Sequence, residues 1–113
     1  MIKLKRIFEE PLKSDGYRIL VDRLWPRGLT KEKAKIDLWF KEIAPSNELR
    51  RWYHADLDKW SEFKKKYKKE LNENKEALEE LKKLVKQNKT VTFVYSSKIE
   101  EKNNAVALKE FIM

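Results

Sequence analysis

The sequence predicts a small α/β domain in which a mostly parallel sheet of three to four strands is flanked by helices, giving three layers. Short β-branched and aromatic segments alternate along the chain with longer segments whose apolar residues recur every three to four positions. Strands separated by helices in this way pair in parallel through crossover connections. Because 113 residues are the size of one domain, we expect residues 1–113 to form a single domain.

The expected strands are short and well separated. The alternating run at residues 2–8 predicts a strand of about seven residues, and residues 17–21 and 90–95 are β-branched and apolar. Residues 36–40 are either a further short strand or an extended segment. Pro26 and Gly28 exclude regular structure just after the second strand.

Four helices and one helical turn are expected between and after these strands. Ser46 and Asp56 are suitable N-cap residues, because their side-chain oxygens accept hydrogen bonds from the first turn of a helix. The apolar stripe of the helix after Asp56 begins at Leu57. Asn88 is expected to end a later helix in the left-handed conformation. The expected helical segments are residues 31–35, 47–53, 57–71, 77–88 and 105–112.

The positive charge is distributed unevenly along the chain. The protein has 27 Lys and Arg residues against 19 Asp and Glu, a formal net charge of +8. All the arginines lie within the first 51 residues, together with every Gly and Pro, whereas lysine alone carries positive charge after Trp60. Arginine offers a rigid planar fork for anions, while surface lysine mainly favours hydration. Specific chemistry is therefore expected in the N-terminal half.

Composition also excludes several kinds of site. The absence of Cys excludes disulfides, thiolate metal sites and cysteine nucleophiles, and a single His excludes a multi-histidine metal site. Two Gly are too few for a phosphate-binding or dinucleotide-binding glycine loop. We therefore expect no metal and no cofactor. No apolar run approaches the roughly 20 residues of a membrane span, and no signal-peptide core is seen, so a soluble cytoplasmic protein is expected. The oligomeric state is left open.

The loop after the second strand carries the most informative polar residues. Arg23 and Arg27 are predicted to hold an anionic group, with Asp22 orienting one of them or acting as a base. The same residues also fit a structural Asp–Arg pair, with Trp25 closing the end of the sheet, and both interpretations stay open. Residues 96–98 follow the last strand, and they meet this loop if the two strands are parallel.

Other polar residues are candidates for the same edge. Ser46 begins a helix whose free N–H groups can bind an anion, unless it only caps that helix. Arg50 and its neighbouring arginine point about 100° apart, so at most one faces inward. Histidine is a common acid–base catalyst, which makes His54 a candidate, although a lone His is more often structural or exposed. Asn103 and Asn104 either bind a polar ligand or cap the last helix.

Several runs of residues resemble a known family. They are Val-Asp-Arg-Leu-Trp-Pro-Arg-Gly at 21–28, Lys-Glu-Ile-Ala-Pro-Ser at 41–46, Leu-Arg-Arg-Trp-Tyr-His at 49–54 and Asn-Asn-Ala at 103–105. The chain resembles the YeaO-like branch of the domain of unknown function 488 (DUF488) family over nearly its whole length. This resemblance implies a small α/β protein of bacteria or archaea, often standing alone, and no established reaction. Longer relatives carry a Cys-His-Arg-type turn after the last strand, where this chain has Ser-Ser-Lys-Ile, so any thiol chemistry suspected for those relatives does not transfer to it.

Three functions follow as hypotheses. The first is binding, with or without enzymatic processing, of a small anionic or phosphorylated ligand at the carboxyl edge of the sheet. The second is non-specific nucleic-acid binding by residues 59–89, a segment that is rich in Lys but also contains several acidic residues. The third is a protein–protein adaptor that uses the Trp-rich N-terminal half.

Overall fold

A computed structural model describes residues 1–113 and contains one sheet of four parallel strands. The strands are β1 (Ile2–Arg6), β2 (Tyr17–Leu20), β3 (Leu38–Trp39) and β4 (Val91–Tyr95). Their order in the sheet is β1-β4-β2-β3, and each neighbouring pair is parallel. The last strand of the chain is thus inserted between the first two. The α/β class expected from the sequence is confirmed.

Five α-helices and three short 3₁₀ turns connect the strands. The helices are α1 (Lys31–Ala34), α2 (Asn47–Ala55), α3 (Trp60–Glu73), α4 (Lys75–Gln87) and α5 (Asn104–Ile112). The 3₁₀ turns are Lys13–Asp15, Lys41–Ile43 and Leu57–Lys59. None of the helices combines the length and the apolar character that crossing a membrane requires.

The two faces of the sheet bury different kinds of side chain. Successive residues of a strand point to opposite faces. Ile19 and Phe93 therefore lie on the first face, in a core of 17 buried residues that includes side chains of α2, α3, α4 and α5. Leu20 and Val94 lie on the second face, in a cluster of four buried residues that includes Ala34 of α1. The sheet is consequently covered on both faces, but far more heavily on the first.

Aromatic side chains of α2 and α3 form much of the first-face core. Phe63 and Tyr67 are 1 % exposed, and each buried side chain of this size contributes about 1.5–3 kcal/mol to stability. Tyr53 of α2 stacks on Phe63 with 4.4 Å between ring centroids. Their rings hold α2 and α3 together, and this contact fixes the position of α2 beside the sheet.

Two predicted helix ends are corrected by the structure. The helix after Asp56 begins as a 3₁₀ turn, capped by the Asp56 carboxylate, and α3 proper starts at Trp60. Leu57 lies in that turn and is 40 % exposed, so it is not part of the buried stripe. The prediction of a left-handed Asn88 is wrong: its φ is −118°, in the extended region. Its side-chain amide instead donates to the Leu84 carbonyl oxygen, so the helix end is satisfied without a left-handed residue.

The first strand is also shorter than predicted. It ends at Arg6, whose N–H donates to the Glu9 carboxylate at 2.8 Å. This hydrogen bond and the one from the Glu9 N–H to the Arg6 carbonyl oxygen close a turn, which ends the alternating pattern. Phe8 is therefore 50 % exposed rather than part of the core.

Gly16 fixes the start of β2 beside the start of β4. Its φ is +67°, a conformation that residues with a side chain rarely adopt. A Cβ atom at this position would also overlap the carbonyl oxygen of Thr90. That carbonyl accepts a hydrogen bond from the Tyr17 N–H at 2.9 Å, so the close approach is part of the strand pairing.

Candidate functional site

The carboxyl ends of β2 and β4 lie side by side, as the parallel pairing requires, and Asp22 connects the loops that follow them. One oxygen of its carboxylate accepts hydrogen bonds from the Ser96 N–H at 2.9 Å and the Ser96 hydroxyl at 2.8 Å. The other oxygen accepts from the side-chain amide of Asn104 at 3.0 Å. Both oxygens are therefore occupied by this chain's own donors, and the contacts join β2, β4 and α5.

The connections from these two strands leave toward opposite faces of the sheet. The segment after β2 leads to α1, which packs on the second face through Ala34. The segment after β4 leads to α5, which packs on the first face through Ala105 and Leu108. Neighbouring strands whose connections diverge in this way leave a crevice between their carboxyl ends, and open α/β sheets bind ligands in that crevice.

A cavity of about 410 Å³ occupies this position. The loop after β2 contributes Asp22, Arg23 and Leu24, and the chain from Ser96 to Asn104 contributes several residues on the opposite side. Helix α2 closes a third side through Arg50, Tyr53 and His54. These three residues lie three and four positions apart, which places them on one face of the helix.

The charges around the cavity are mostly positive. Its lining includes Arg23, Arg50, Lys98 and Lys102, whereas Asp22 is its one carboxylate. The single negative charge of Asp22 offsets only one of these cations. The electrostatic character of the cavity therefore favours an anion.

Arg50 has a buried donor without a partner. Its Nε atom is shielded from solvent and has no hydrogen-bond acceptor in the protein. It is the one buried side-chain nitrogen or oxygen of the chain in this condition. Buried polar groups are nearly always paired, so an exception needs an explanation such as a bound water or ion.

Arg23 is partly engaged. Its Nε donates to the Pro45 carbonyl oxygen at 3.1 Å, and its Nη2 donates to the Ala44 carbonyl oxygen at 3.2 Å. These hydrogen bonds fix the guanidinium against the segment that leads into α2. No carboxylate forms an ion pair with it, so its positive charge is available to the cavity.

Tyr53 links α2 to the loop on the opposite side of the cavity. Its hydroxyl donates to the Lys102 carbonyl oxygen at 2.9 Å. Burial raises the pKa of the Tyr53 phenol, so the group stays protonated and acts as a donor at neutral pH. This hydrogen bond orders the segment that carries Lys98 and Lys102.

The candidate residues from the sequence are only partly brought together. Asp22, Arg23, Arg50, His54, Asn103 and Asn104 line the cavity. His54 is exposed and has no hydrogen-bond partner in the protein. Asn103 is 3 % exposed and caps α5, since its side-chain oxygen accepts from the Val106 N–H. Arg27 is exposed and lies outside the cavity.

Ser46 also lies outside this cavity, beside a smaller one of about 170 Å³. Its N–H and its hydroxyl donate to the two carboxylate oxygens of Glu70, at 2.9 and 2.6 Å. The Ser46 hydroxyl also accepts from the Leu49 N–H, as a helix cap does. The anion at the start of α2 is therefore Glu70 of the same chain.

The sequence does not single out the lysines after β4 as site residues, although Lys98 and Lys102 line the cavity. Lys102 lines the cavity but lies in a polar run with no periodic or motif signal. Its position in the sequence does predict a place near the site, because the segment between the carboxyl end of a strand and the next helix lies at the edge of the sheet. No group of three or more His, Asp or Glu side chains is placed to hold a metal ion.

Comparisons with known proteins give a family and no activity. A family model described as the inactive DUF488-N3 subclade matches residues 1–113. The uncharacterized protein YeaO of Escherichia coli strain K12 is 39% identical over 111 residues, which are 98% of this chain and 96% of the relative. The uncharacterized protein Mb3100c of Mycobacterium bovis is 41% identical over 70 residues, which are 62% of this chain and 59% of the relative. No solved structure matches the chain. The whole-length family match and the similarity to YeaO agree with the motifs at the sheet edge: the chain belongs to the YeaO-like branch of the DUF488 family.

Proposed function

We propose that this protein binds a small anionic molecule in the cavity at the carboxyl ends of β2 and β4. The observation that carries the proposal is the buried Nε of Arg50, which has no acceptor in the protein and belongs to a residue that lines this cavity. The Nε itself has no accessible surface, so a phosphate, sulfate or carboxylate oxygen satisfies this donor only after the guanidinium turns toward the cavity. Arginine binds such groups through charge-assisted hydrogen bonds, which are stronger than neutral ones.

The charges nearby support the same proposal. Arg23, Lys98 and Lys102 add positive charge around the cavity, and Asp22 is the single carboxylate. An anion that enters here meets one donor whose position is fixed in advance. The guanidinium of Arg23 is held by two backbone carbonyl oxygens, so little side-chain entropy is lost when a ligand binds.

The arrangement favours binding over catalysis. Asp22 is a weak candidate for a general base, because the Ser96 and Asn104 side chains and the Ser96 N–H already use its oxygens. His54 has no neighbouring group that would orient it as an acid or base. The description of the matching subclade as inactive agrees with a binding role. We therefore assign Asp22 the task of holding the two loops together.

Titration with sodium phosphate at low ionic strength, followed by isothermal calorimetry, tests the proposal. Arg50→Gln removes the charged guanidinium and leaves a neutral amide near the Nε position, and Arg51→Gln is the matched control, because Arg51 is exposed on the same helix and lies outside the cavity. A charge-assisted hydrogen bond is worth about 1.5–3 kcal/mol, so Arg50→Gln should weaken phosphate binding by about tenfold or more. Arg51→Gln should leave the affinity nearly unchanged. Equal losses in the two variants, or no binding by the unmodified protein, would contradict the proposal.

A further inference from the structure

We infer that the ligand of this cavity is amphipathic: an anionic head group joined directly to an apolar body. The inference rests on the proposed function and specifies the chemical class of the ligand. The head group is a phosphate or a carboxylate, which share the oxygens that Arg50 requires. The apolar body follows from the side chains that surround the cavity entrance.

Exposed apolar side chains collect at the entrance of the cavity. Leu24, Leu57 and Ile99 all line it, and they are 54, 40 and 36 % exposed. Apart from the chain ends, only two other large apolar residues are equally exposed, Phe8 and Leu12. Three separate segments of chain thus place apolar surface at one opening. Exposed apolar side chains that are clustered, rather than scattered, mark a surface that is covered by something else.

Other apolar residues lie behind the cavity lining. Pro45, Tyr53 and Phe63 border the cavity, but Tyr53 and Phe63 are only 4 and 1 % exposed, so their rings present little surface to a ligand. The stacked rings of Tyr53 and Phe63 form a rigid surface, because both are held in the main core. They support the residues in front of them, and the apolar surface open to a ligand is that of Leu24, Leu57 and Ile99.

The cation and the apolar wall are close neighbours. Arg50 and Tyr53 are three positions apart on α2, so their side chains lie on adjacent turns of one helix face. A ligand that contacts both must carry its charge and its apolar surface within a short distance. A cavity of about 410 Å³ also lies in the range of roughly 300–1,000 Å³ typical of organic ligands. An inorganic ion alone would leave the leucine-lined entrance in contact with water.

Four probes separate the contribution of the charged head group from that of the apolar body. They are phenyl phosphate, benzoate, inorganic phosphate and benzyl alcohol, each titrated by calorimetry against the unmodified protein. Phenyl phosphate is expected to bind about tenfold more tightly than inorganic phosphate, because its ring removes apolar surface from water. Benzyl alcohol, which lacks the charge, is expected to bind at least tenfold more weakly than phenyl phosphate. Comparison of phenyl phosphate with benzoate identifies which head group the site prefers.

Leu24→Ser and Leu12→Ser form a matched pair for the apolar contribution. Both leucines are 54 % exposed, but only Leu24 lines the cavity. Leu24→Ser should reduce the preference for phenyl phosphate over inorganic phosphate by about threefold. Leu12→Ser should change neither affinity. Circular dichroism of both variants verifies that they fold.

The outcomes distinguish this inference from the proposed function. If phenyl phosphate and inorganic phosphate bind equally well, the amphipathic ligand is overturned while anion binding stands. An unchanged preference in Leu24→Ser overturns the assignment of the apolar body to the cavity entrance. If neither anion binds, the proposed function itself fails. Equal binding of benzyl alcohol and phenyl phosphate would contradict both.

Discussion

Arginines occupy two contrasting environments in this small protein, one on the second face of the sheet and one at its carboxyl edge. Arg18 is 3 % exposed, and each of its guanidinium nitrogens has a protein acceptor: Nε donates to the Lys35 carbonyl oxygen, Nη1 to Asp15 and Nη2 to the Ala34 carbonyl oxygen. Arg50, in contrast, has a buried Nε with no protein acceptor and lines a cavity.

The contrast separates a cation used for stability from one available to a ligand. Asp15 is 4 % exposed and also accepts from Lys5 and from the Leu12 N–H, so the charges of that cluster are satisfied within the chain. The cavity has several cations and one carboxylate that is already occupied. Substitutions in the first region should therefore affect folding, and substitutions in the second should affect binding.

The largest effect is expected from Arg18→Met. It breaks a buried ion pair and leaves Lys5 as the one cation beside Asp15, since the side chains of Arg18 and Asp15 are only 4 and 5 % exposed. Breaking a buried ion pair at one partner costs about 3–5 kcal/mol. Urea denaturation at pH 7 measures the loss. A loss below about 1 kcal/mol would show that Asp15 is not confined as described, and the contrast with Arg50 would collapse.

Asp15→Asn should be somewhat less damaging, with a loss that depends on pH. Burial raises the pKa of Asp15, but the Leu12 N–H, Lys5 and Arg18 together outweigh burial and hold that pKa below its usual range. The ionised carboxylate therefore stabilises the folded state above about pH 4, near its unfolded pKa, and this contribution is lost as the pH falls through the lowered folded pKa. At pH 7 the expected loss is about 1.5–3 kcal/mol, from hydrogen bonds to a charged group.

The direction of the Asp15 pKa shift can be tested by unfolding the unmodified protein and Asp15→Asn between pH 7 and pH 2.5 and comparing their unfolding free energies. The difference between the two proteins should be constant at neutral pH and should shrink below about pH 4. A difference that grows on acidification would mean that the pKa of Asp15 is raised rather than lowered.

Asp22→Asn should have a smaller effect on stability and an opposite effect on binding. An amide retains one acceptor for Ser96 but loses the charge and faces the Asn104 amide, so a loss of about 1 kcal/mol is expected. Removing the cavity's carboxylate should strengthen phosphate binding by up to about fivefold, the scale of a partly screened charge pair. Complete loss of binding in a folded variant would instead give Asp22 a direct role in holding the ligand.

The smallest effect on stability is expected from Arg50→Gln. Its Nε contributes no hydrogen bond within the protein, so the substitution loses no stabilising contact of that atom, and the unfolding free energy should fall by less than about 1 kcal/mol. Urea denaturation without phosphate, compared with Arg18→Met, checks this directly. If Arg50→Gln destabilises the fold as strongly as Arg18→Met, the residue is structural and is not reserved for a ligand.

The fold was largely predictable because its signals are local. Strand and helix periodicities gave every major element, and the Ser46 and Asp56 caps lie where the residue types indicate. The errors arose where a tertiary hydrogen bond decides the outcome. The carboxylate of Glu9 ends β1 early, and the side-chain amide of Asn88 replaces a left-handed helix end.

The candidate site was less predictable, because residue type does not reveal whether a charge is already paired. Arg23, Arg27 and Arg50 are the same residue type, but their positions differ. Arg27 is exposed outside the cavity, whereas Arg50 lines it. Ser46 has the sequence features of an anion site, but Glu70, 24 residues away, takes that position. Nothing in the sequence marks Arg18 as a buried ion-pair residue, because its hydrogen-bond acceptors are brought beside it only when the sheet forms.

The central claim is that Arg50 is available to an anion whereas Arg18 is already paired within the protein. A phosphate titration that follows the arginine Nε–H signals in a ¹H–¹⁵N spectrum tests it most directly. The account predicts that the Arg50 Nε–H signal shifts progressively and saturates, because phosphate supplies its missing acceptor. The Arg18 Nε–H signal should stay in place, because its hydrogen bond to the Lys35 carbonyl oxygen is already formed. An Arg50 signal that does not move, or that moves no more than the signal of exposed Arg51, would contradict the account.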